Sequence, residues 1–105
     1  MKKQKKLSEL QAWRRIKRIL QDKGTHGIAL TYGLCGLVDD LAFQDLISDA
    51  METRMLRRIQ RAKPKRSSSR WDYYSYTGCY WRLENTRARV DFCNRQIKRL
   101  VGEQR

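Results

Sequence analysis

Apolar side chains recur every three or four residues in separate stretches of this chain, and this spacing constrains the fold more than any other feature. Trp13, Ile16 and Leu20 share one side of a first stretch, and Met55 and Ile59 share one side of another. In the last stretch the apolar positions are Val90, Cys93, Ile97, Leu100 and Val101. A period near 3.6 residues is that of a helix with one buried face. We therefore predict a mainly α fold of three to four amphipathic helices.

Capping residues predict where these helices begin. Ser8-Glu9-Leu10-Gln11 fits a capping box, so the first helix should run over about 8–23, with Gly24 as its stop. Ser48 is a candidate cap for the third helix, and Asn85 or Thr86 for the last one. Pro64 disfavours helix in the residue before it, so the third helix should end near Lys63.

The second helix is predicted less sharply than the others. Leu34, Leu37, Val38 and Leu41 have helical spacing. The preceding residues 24–36 contain four glycines and a short apolar alternation, which fits either an extended piece or a turn.

The length of 105 residues allows one compact domain around one core. We expect a basic N-terminal arm at 1–7 and a single helical domain over 8–105. Residues 64–70, PKRSSSR, have the composition of a flexible basic loop. An aromatic-rich turn segment follows this loop and separates the third helix from the last.

Charge is distributed in blocks of alternating sign, with a net charge of +13. Residues 24–53 contain five acids and neither lysine nor arginine, whereas residues 54–70 contain eight basic residues and no acid. Pairing between blocks leaves a large cationic excess, which favours binding of a polyanion or an acidic surface. The alternative is that the charge serves solubility alone.

Basic and aromatic residues adjoin each other at 54–82, as in sites that hold phosphates and stack bases. The predicted phosphate-binding residues are Arg54, Arg57, Arg58, Arg61, Lys63, Lys65, Arg66 and Arg70. The predicted base-stacking residues are Trp71, Tyr73 and Tyr74, whereas Tyr80 and Trp81 are expected in the core. The basic side of the first helix, Arg14, Arg15, Lys17 and Arg18, is an auxiliary surface.

Catalytic and metal-binding patterns are weak. His26 is the only histidine, and Cys35, Cys79 and Cys93 lack the paired spacing of a zinc site, so we expect reduced thiols. Asp39 and Asp40 should face solvent, whereas Asp45 and Asp49, four residues apart, could share a helix face and hold a metal ion. The prediction is a binding protein with no catalytic residue, no metal and no cofactor.

Two fragments resemble a pattern found in small uncharacterised accessory proteins of tailed bacteriophages. They are GLCGLVDDL at 33–41 and CYWRLENTRARVDFCNRQI at 79–97, which pairs an aromatic dipeptide with an amphipathic helix. The resemblance implies a phage-encoded protein and carries over no catalytic residue. The basic first helix and the block at 54–70 depart from that pattern and suggest a specialised binding task.

These observations favour a non-enzymatic accessory protein that binds a phosphate-rich ligand. That ligand would be DNA, RNA, or a signalling nucleotide sequestered from a host defence. The alternative is an inhibitor that covers a surface of a host or anti-phage defence enzyme, because tyrosine, tryptophan and arginine also dominate protein interfaces. We expect no membrane association, a cytoplasmic location (the host cytoplasm for a phage protein), and either a monomer or a homodimer paired through apolar stripes.

Overall fold

Four helices make up most of the chain that the structure, a computed structural model, describes: residues 6–22, 28–62 and 83–103. They are α1 (Glu9–Gln21), α2 (Ile28–Phe43), α3 (Asp49–Arg61) and α4 (Leu83–Glu103). The predicted mainly α class is confirmed. Within the described ranges, none of the helices combines the length and apolar character needed to span a membrane.

The predicted capping box opens α1. The Ser8 hydroxyl oxygen accepts a hydrogen bond from the Gln11 backbone N–H at 3.2 Å, and the Gln11 side-chain oxygen accepts one from the Ser8 N–H at 2.9 Å. Both bonds satisfy N–H groups that have no partner inside the helix. α1 begins and ends within two residues of the predicted limits.

Gly33 interrupts α2. Its backbone angles, φ 64° and ψ −166°, lie in a region that is essentially restricted to glycine. The helical segments on either side are therefore two pieces of one interrupted element. The extended alternative for the residues before Gly33 is wrong from Ile28 onward, because an alternation this short does not distinguish strand from helix.

A left-handed turn ends α2. Asp45 has φ 59°, its N–H donates to the Ala42 carbonyl at 2.9 Å, and the Leu46 N–H donates to the Leu41 carbonyl at 2.9 Å. This pair of bonds is a Schellman motif, and Leu41 and Leu46, both buried, supply its usual apolar contact.

Residues 6 and 7, which the sequence assigns to the N-terminal arm, pack against this turn. The Leu7 N–H donates to the Leu46 carbonyl at 2.7 Å, and Lys6 Nζ lies 2.6 Å from Asp45 Oδ1. The folded unit therefore begins before residue 8, and residues 1–5 lie outside the described ranges.

One of the remaining caps is confirmed and the other is wrong. The Ser48 hydroxyl accepts from the Met51 N–H at 3.1 Å and opens α3, which ends at Arg61, two residues before the predicted position. α4 begins at Leu83, so Asn85 and Thr86 lie inside the helix. A capping preference marks a candidate helix start, and the surrounding structure can extend a helix past it.

The core forms where α1 packs mainly against α4, with α2 in contact with the other three helices. Trp13 and Phe92 meet edge to face, with ring centroids 5.4 Å apart. The buried apolar side chains are Ala12, Trp13, Ile16, Leu20, Leu34, Leu37, Val38, Leu41, Leu46, Ile47, Met55, Ile59, Phe92 and Cys93. Every described helix thus contributes to one core. Tyr80 and Trp81, which we predicted in it, lie outside the described residues.

Candidate anion-binding groove

Four arginines follow one side of α3. Arg54, Arg57, Arg58 and Arg61 are spaced by three or four residues, so they fall within about 100° of one another around the helix. Met55 and Ile59 hold the neighbouring side in the core. The structure therefore brings four of the predicted phosphate-binding residues to one side of α3, and their role in binding stays a prediction.

A groove of about 640 Å³ runs between α3 and α4, and we call it the α3/α4 groove. Its described lining consists of Ala50, Thr53, Arg54, Arg57, Arg58, Arg61, Ala62, Phe92, Arg95 and Gln96. Five of these residues are arginines and none is acidic. The volume falls in the range of pockets that hold small ligands or ligand fragments.

Glu9 of α1 lies at the edge of this arginine cluster and is only 10% exposed. Its carboxylate accepts hydrogen bonds from Trp13 Nε1 at 3.0 Å and from Arg99 Nη2 at 2.7 Å. Its oxygens also lie 3.2 Å from Arg54 Nε and 3.7 Å from Arg58 Nε. One carboxylate therefore connects α1, α3 and α4.

The electrostatic environment of Glu9 favours its charged form. Burial by itself raises the pKa of Glu9, but the hydrogen bonds from Trp13 and Arg99 and the charges of Arg99 and Arg58 lower the pKa by more. The net pKa of Glu9 lies below its ordinary value. Glu9 is therefore ionised at neutral pH and attracts the guanidinium groups of Arg54 and Arg58.

Arg57, Arg61 and Arg95 are not neutralised in this way. Among the residues that the structure describes, no carboxylate oxygen lies within 4.0 Å of their side-chain nitrogens. The Arg95 guanidinium lies over the Phe92 ring, 5.8 Å from its centroid, which orients it through a cation–π contact. These three guanidinium groups are the ones that an external anion would meet.

The auxiliary basic residues of α1 divide between two positions. Arg14, Lys17 and Arg18 line a second groove of about 710 Å³, the α1/α4 groove, together with Gln21, Asp22 and Ile97. Arg15 is exposed and lines neither of these two grooves, but it shares a smaller surface pocket with Arg14 and Arg18. The structure therefore separates the predicted basic surface of α1 from the arginines of α3.

Part of the predicted site falls on residues outside the described ranges. These residues are Lys63, Lys65, Arg66, Arg70, Trp71, Tyr73 and Tyr74. Their roles in phosphate binding and base stacking stay predictions.

Sequence reasoning missed Glu9, Phe92, Arg95 and Arg99 as parts of the site. Arg95 and Arg99 are one turn apart on the polar side of an amphipathic helix, which is a detectable signal. The position of Glu9 beside them depends on how α1 docks on α4, and local patterning does not encode this.

The acidic residues gather at the junction of α2 and α3. Asp39 and Asp40 are exposed, as predicted, and Glu52 lies close to Asp39. The hydrogen bond with Asp39, aided by burial and by the charges of Asp39 and Asp49, raises the pKa of Glu52.

The shared helix face predicted for Asp45 and Asp49 is wrong. Asp45 occupies the left-handed turn after α2, whereas Asp49 is the first residue of α3. Within the described ranges, no group of three or more histidine, cysteine, aspartate or glutamate residues is arranged to hold a metal ion.

Two ionisable groups of α4 lie in the interior. Arg89 is fully buried, and burial lowers its pKa to about 10, so it stays charged at neutral pH. Burial raises the pKa of the Cys93 thiol to about 12, against an opposing effect of Lys17. A thiol with this pKa is a poor nucleophile near pH 7, which fits the prediction of a buried, reduced cysteine at this position.

Comparison with known proteins adds no assignment to this geometry. No protein family, curated protein or solved structure matches the chain. The resemblance to phage accessory proteins stays a prediction from the two sequence fragments, and the functional argument rests on the grooves.

Proposed function

We propose that this protein binds a phosphate-rich ligand, a nucleic acid or an anionic nucleotide, in the α3/α4 groove and does so without catalysing a reaction. The observation that carries the proposal is the convergence of five arginines on one groove whose described lining contains no acidic residue. Guanidinium groups donate several hydrogen bonds in a planar fork that matches phosphate oxygens.

The spacing of the arginines suits several phosphate oxygens at once. Arg57 and Arg61 lie one helical turn apart, about 5–6 Å between their β-carbons. Arg95 faces them from α4 across the groove. A phosphate group between the two helices would thus meet donors from both sides.

Glu9 supports binding by ordering part of this lining. Ordering a long side chain on binding costs about 0.5–1.5 kcal/mol for each residue immobilised. Arg54 Nε already lies 3.2 Å from the Glu9 carboxylate, so less of that cost falls on ligand binding. One carboxylate at the edge leaves the groove with a strong cationic surplus.

The proposal includes no catalytic step because the charged side chains that line the groove are all arginines. The guanidinium group of arginine stays protonated at neutral pH, so it binds and orients anions without exchanging protons. The fragments GLCGLVDDL and CYWRLENTRARVDFCNRQI support placing this activity in a phage-encoded accessory protein that acts in the cytoplasm of the infected cell.

Fluorescence anisotropy with a labelled single-stranded oligonucleotide tests the proposal. We expect binding that weakens steeply between about 50 and about 200 mM salt, because each phosphate contact releases counterions. Neutralising two exposed arginines of the groove, in the double variant Arg57→Gln/Arg61→Gln, should weaken binding about tenfold at the lower salt concentration and make the slope of log K against log salt less negative by roughly 1.4.

The matched control is Lys6→Gln/Arg87→Gln, which removes the same charge from two exposed residues that line neither groove. Its affinity should stay within about twofold of the unmodified protein. Equal losses of affinity in the two variants would show that binding depends only on the net charge of the protein. That result would contradict a binding site in the groove. Binding that does not depend on salt, or no binding at all, would contradict the proposal. Either result would favour the alternative of an acidic protein surface as the target.

A further inference from the structure

Helix α4 separates two cationic grooves. Arg95 lies on the side of α4 that faces α3, and Ile97 lies on the side that faces the basic residues of α1. Three cations, Arg14, Lys17 and Arg18, oppose the single acid Asp22 in the α1/α4 groove. Both grooves therefore attract anions, and the proposed function uses only the first.

The surface of α4 between the grooves is also cationic. Successive residues of a helix are rotated by about 100°, which places Lys98 about 60° from Arg95 and about 100° from Ile97 on the outer side of α4. Lys98 and Arg95 are both exposed. Asp91 shares this outer side and lies about 10 Å from Lys98, and one turn from Arg95, toward the start of α4. The path from Arg95 past Lys98 to Ile97 runs away from Asp91, toward the end of α4.

The width of α4 sets a minimum size for a ligand that uses both grooves. A helix with its side chains is about 10–12 Å across, so a ligand must extend around at least that distance to reach the second groove. The triphosphate of one nucleotide is shorter than this path. A strand of nucleic acid carries a phosphate at every nucleotide and can follow it.

We infer that the α3/α4 groove, Lys98 and the α1/α4 groove form one continuous track for a strand of nucleic acid that wraps the outer side of α4. This inference rests on the proposed function and narrows its ligand to a polymer. A single strand would place phosphates in both grooves, and each phosphate contact releases counterions. Both grooves therefore contribute to the affinity for the same ligand.

A length series with two double variants tests the track. The probes are labelled ATP and labelled oligodeoxythymidylates of about 4 and about 16 nucleotides, lengths that bracket the usual range of single-strand sites. The variants are Arg57→Gln/Arg61→Gln in the first groove and Arg14→Gln/Arg18→Gln in the second, with Lys6→Gln/Arg87→Gln as the matched control. All six substituted side chains are exposed, and circular dichroism verifies that each variant is folded.

With the longest probe, we expect each groove variant to lose about tenfold in affinity and the control to lose less than about twofold. With ATP and the shortest probe, only Arg57→Gln/Arg61→Gln should weaken binding. The single substitution Lys98→Gln should lower the affinity for the longest probe only, because Lys98 would contact the strand between the two grooves.

Two results overturn the inference, and they differ in what they say of the proposed function. If Arg14→Gln/Arg18→Gln matches the control with the longest probe while Arg57→Gln/Arg61→Gln weakens every probe, the track is absent and the first groove stands as a binding site. If Arg57→Gln/Arg61→Gln also matches the control with every probe, the proposed function fails together with the track.

Discussion

At the scale of single residues, Glu9 is the most consequential side chain in the described structure. Glu9 directly follows the capping residue Ser8 in the sequence. Its carboxylate nevertheless lies among side chains of three helices, namely Trp13, Arg99, Arg54 and Arg58. A largely buried carboxylate is costly unless it is paired and hydrogen-bonded. Glu9 meets both conditions, so removing its charge leaves partly buried arginines without compensation.

We predict that Glu9→Gln lowers the free energy of unfolding by about 1–3 kcal/mol at pH 7, as measured by urea denaturation. The native pKa of Glu9 is below its ordinary value of 4.5, so its contribution is present above pH 4.5 and is lost as the pH falls through the native pKa. The difference between the two proteins should therefore shrink at about pH 3.

Glu103→Gln is the matched control, because Glu103 pairs with the same Arg99 but is 61% exposed. Its effect should be about 0.5 kcal/mol or less at pH 7. A Glu9→Gln variant as stable as this control would show that the carboxylate does not hold the three helices together.

At the scale of secondary-structure elements, the helix ends and the interruption of α2 are set by local chemistry. Ser8 and Ser48 supply the hydroxyl caps of α1 and α3. Asp45 adopts a left-handed conformation that glycine or asparagine more often occupies. Gly33 turns the chain within α2, and the segment after it, from Leu34 to Leu41, supplies four of the fourteen buried apolar side chains.

We predict opposite effects for alanine at two glycines. Gly33→Ala should destabilise the protein by about 1–3 kcal/mol, because a β-carbon is strained at φ 64° and ψ −166°. Gly102→Ala should stabilise it by roughly 0.5–1 kcal/mol, because position 102 is helical and has open space around an added β-carbon.

Thermal denaturation of both glycine variants, followed by circular dichroism, measures this contrast. Both variants carry the same glycine-to-alanine change, so each is the chemical control for the other. Only the backbone conformation and the surroundings of the two positions differ. A Gly33→Ala variant as stable as the unmodified protein would contradict the interruption of α2 at this position.

At the scale of the whole molecule, charge is segregated. Asp39, Asp40, Asp49 and Glu52 gather where α2 meets α3. Phe43, the last residue of α2, is 90% exposed. The grooves on either side of α4 are cationic. With a net charge of +13, repulsion among like charges opposes the compact state.

We predict that adding salt raises the melting temperature in the absence of ligand. Salt screens the repulsion, and it also weakens exposed ion pairs, which contribute only about 0–1 kcal/mol each. The ion pairs of Glu9 are partly buried and are screened less. A net gain of about 1 kcal/mol would raise the melting temperature by roughly 4–8 °C.

Calorimetry at about 20 and about 300 mM sodium chloride measures this shift. The variant Arg15→Gln/Arg87→Gln carries two fewer charges, so it should melt higher at low salt and gain less from added salt. A melting temperature that falls as salt is added would show that ion pairing outweighs the charge excess.

The local sequence is sufficient to predict the helical class, both serine caps and the common face of the arginines on α3, because each depends on residues within one or two turns. Local patterning fails where several conformations satisfy it, as in the alternation before Gly33 and at the start of α4, where Asn85 and Thr86 are capping residues that do not cap.

Tertiary structure alone decides the groove. Arg95 lines the same groove as Arg57 and Arg61 because α3 and α4 both pack on the shared core. Glu9 meets Arg99, ninety positions away, because α1 docks on α4 through Trp13 and Phe92. Burial of apolar surface drives that docking and is non-directional, so which charged side chains meet at its edge follows from the packing geometry of the helices. The sequence by itself determined that the chain is helical and cationic, and the packing determined which cations share a groove and which ones lie beside Glu9.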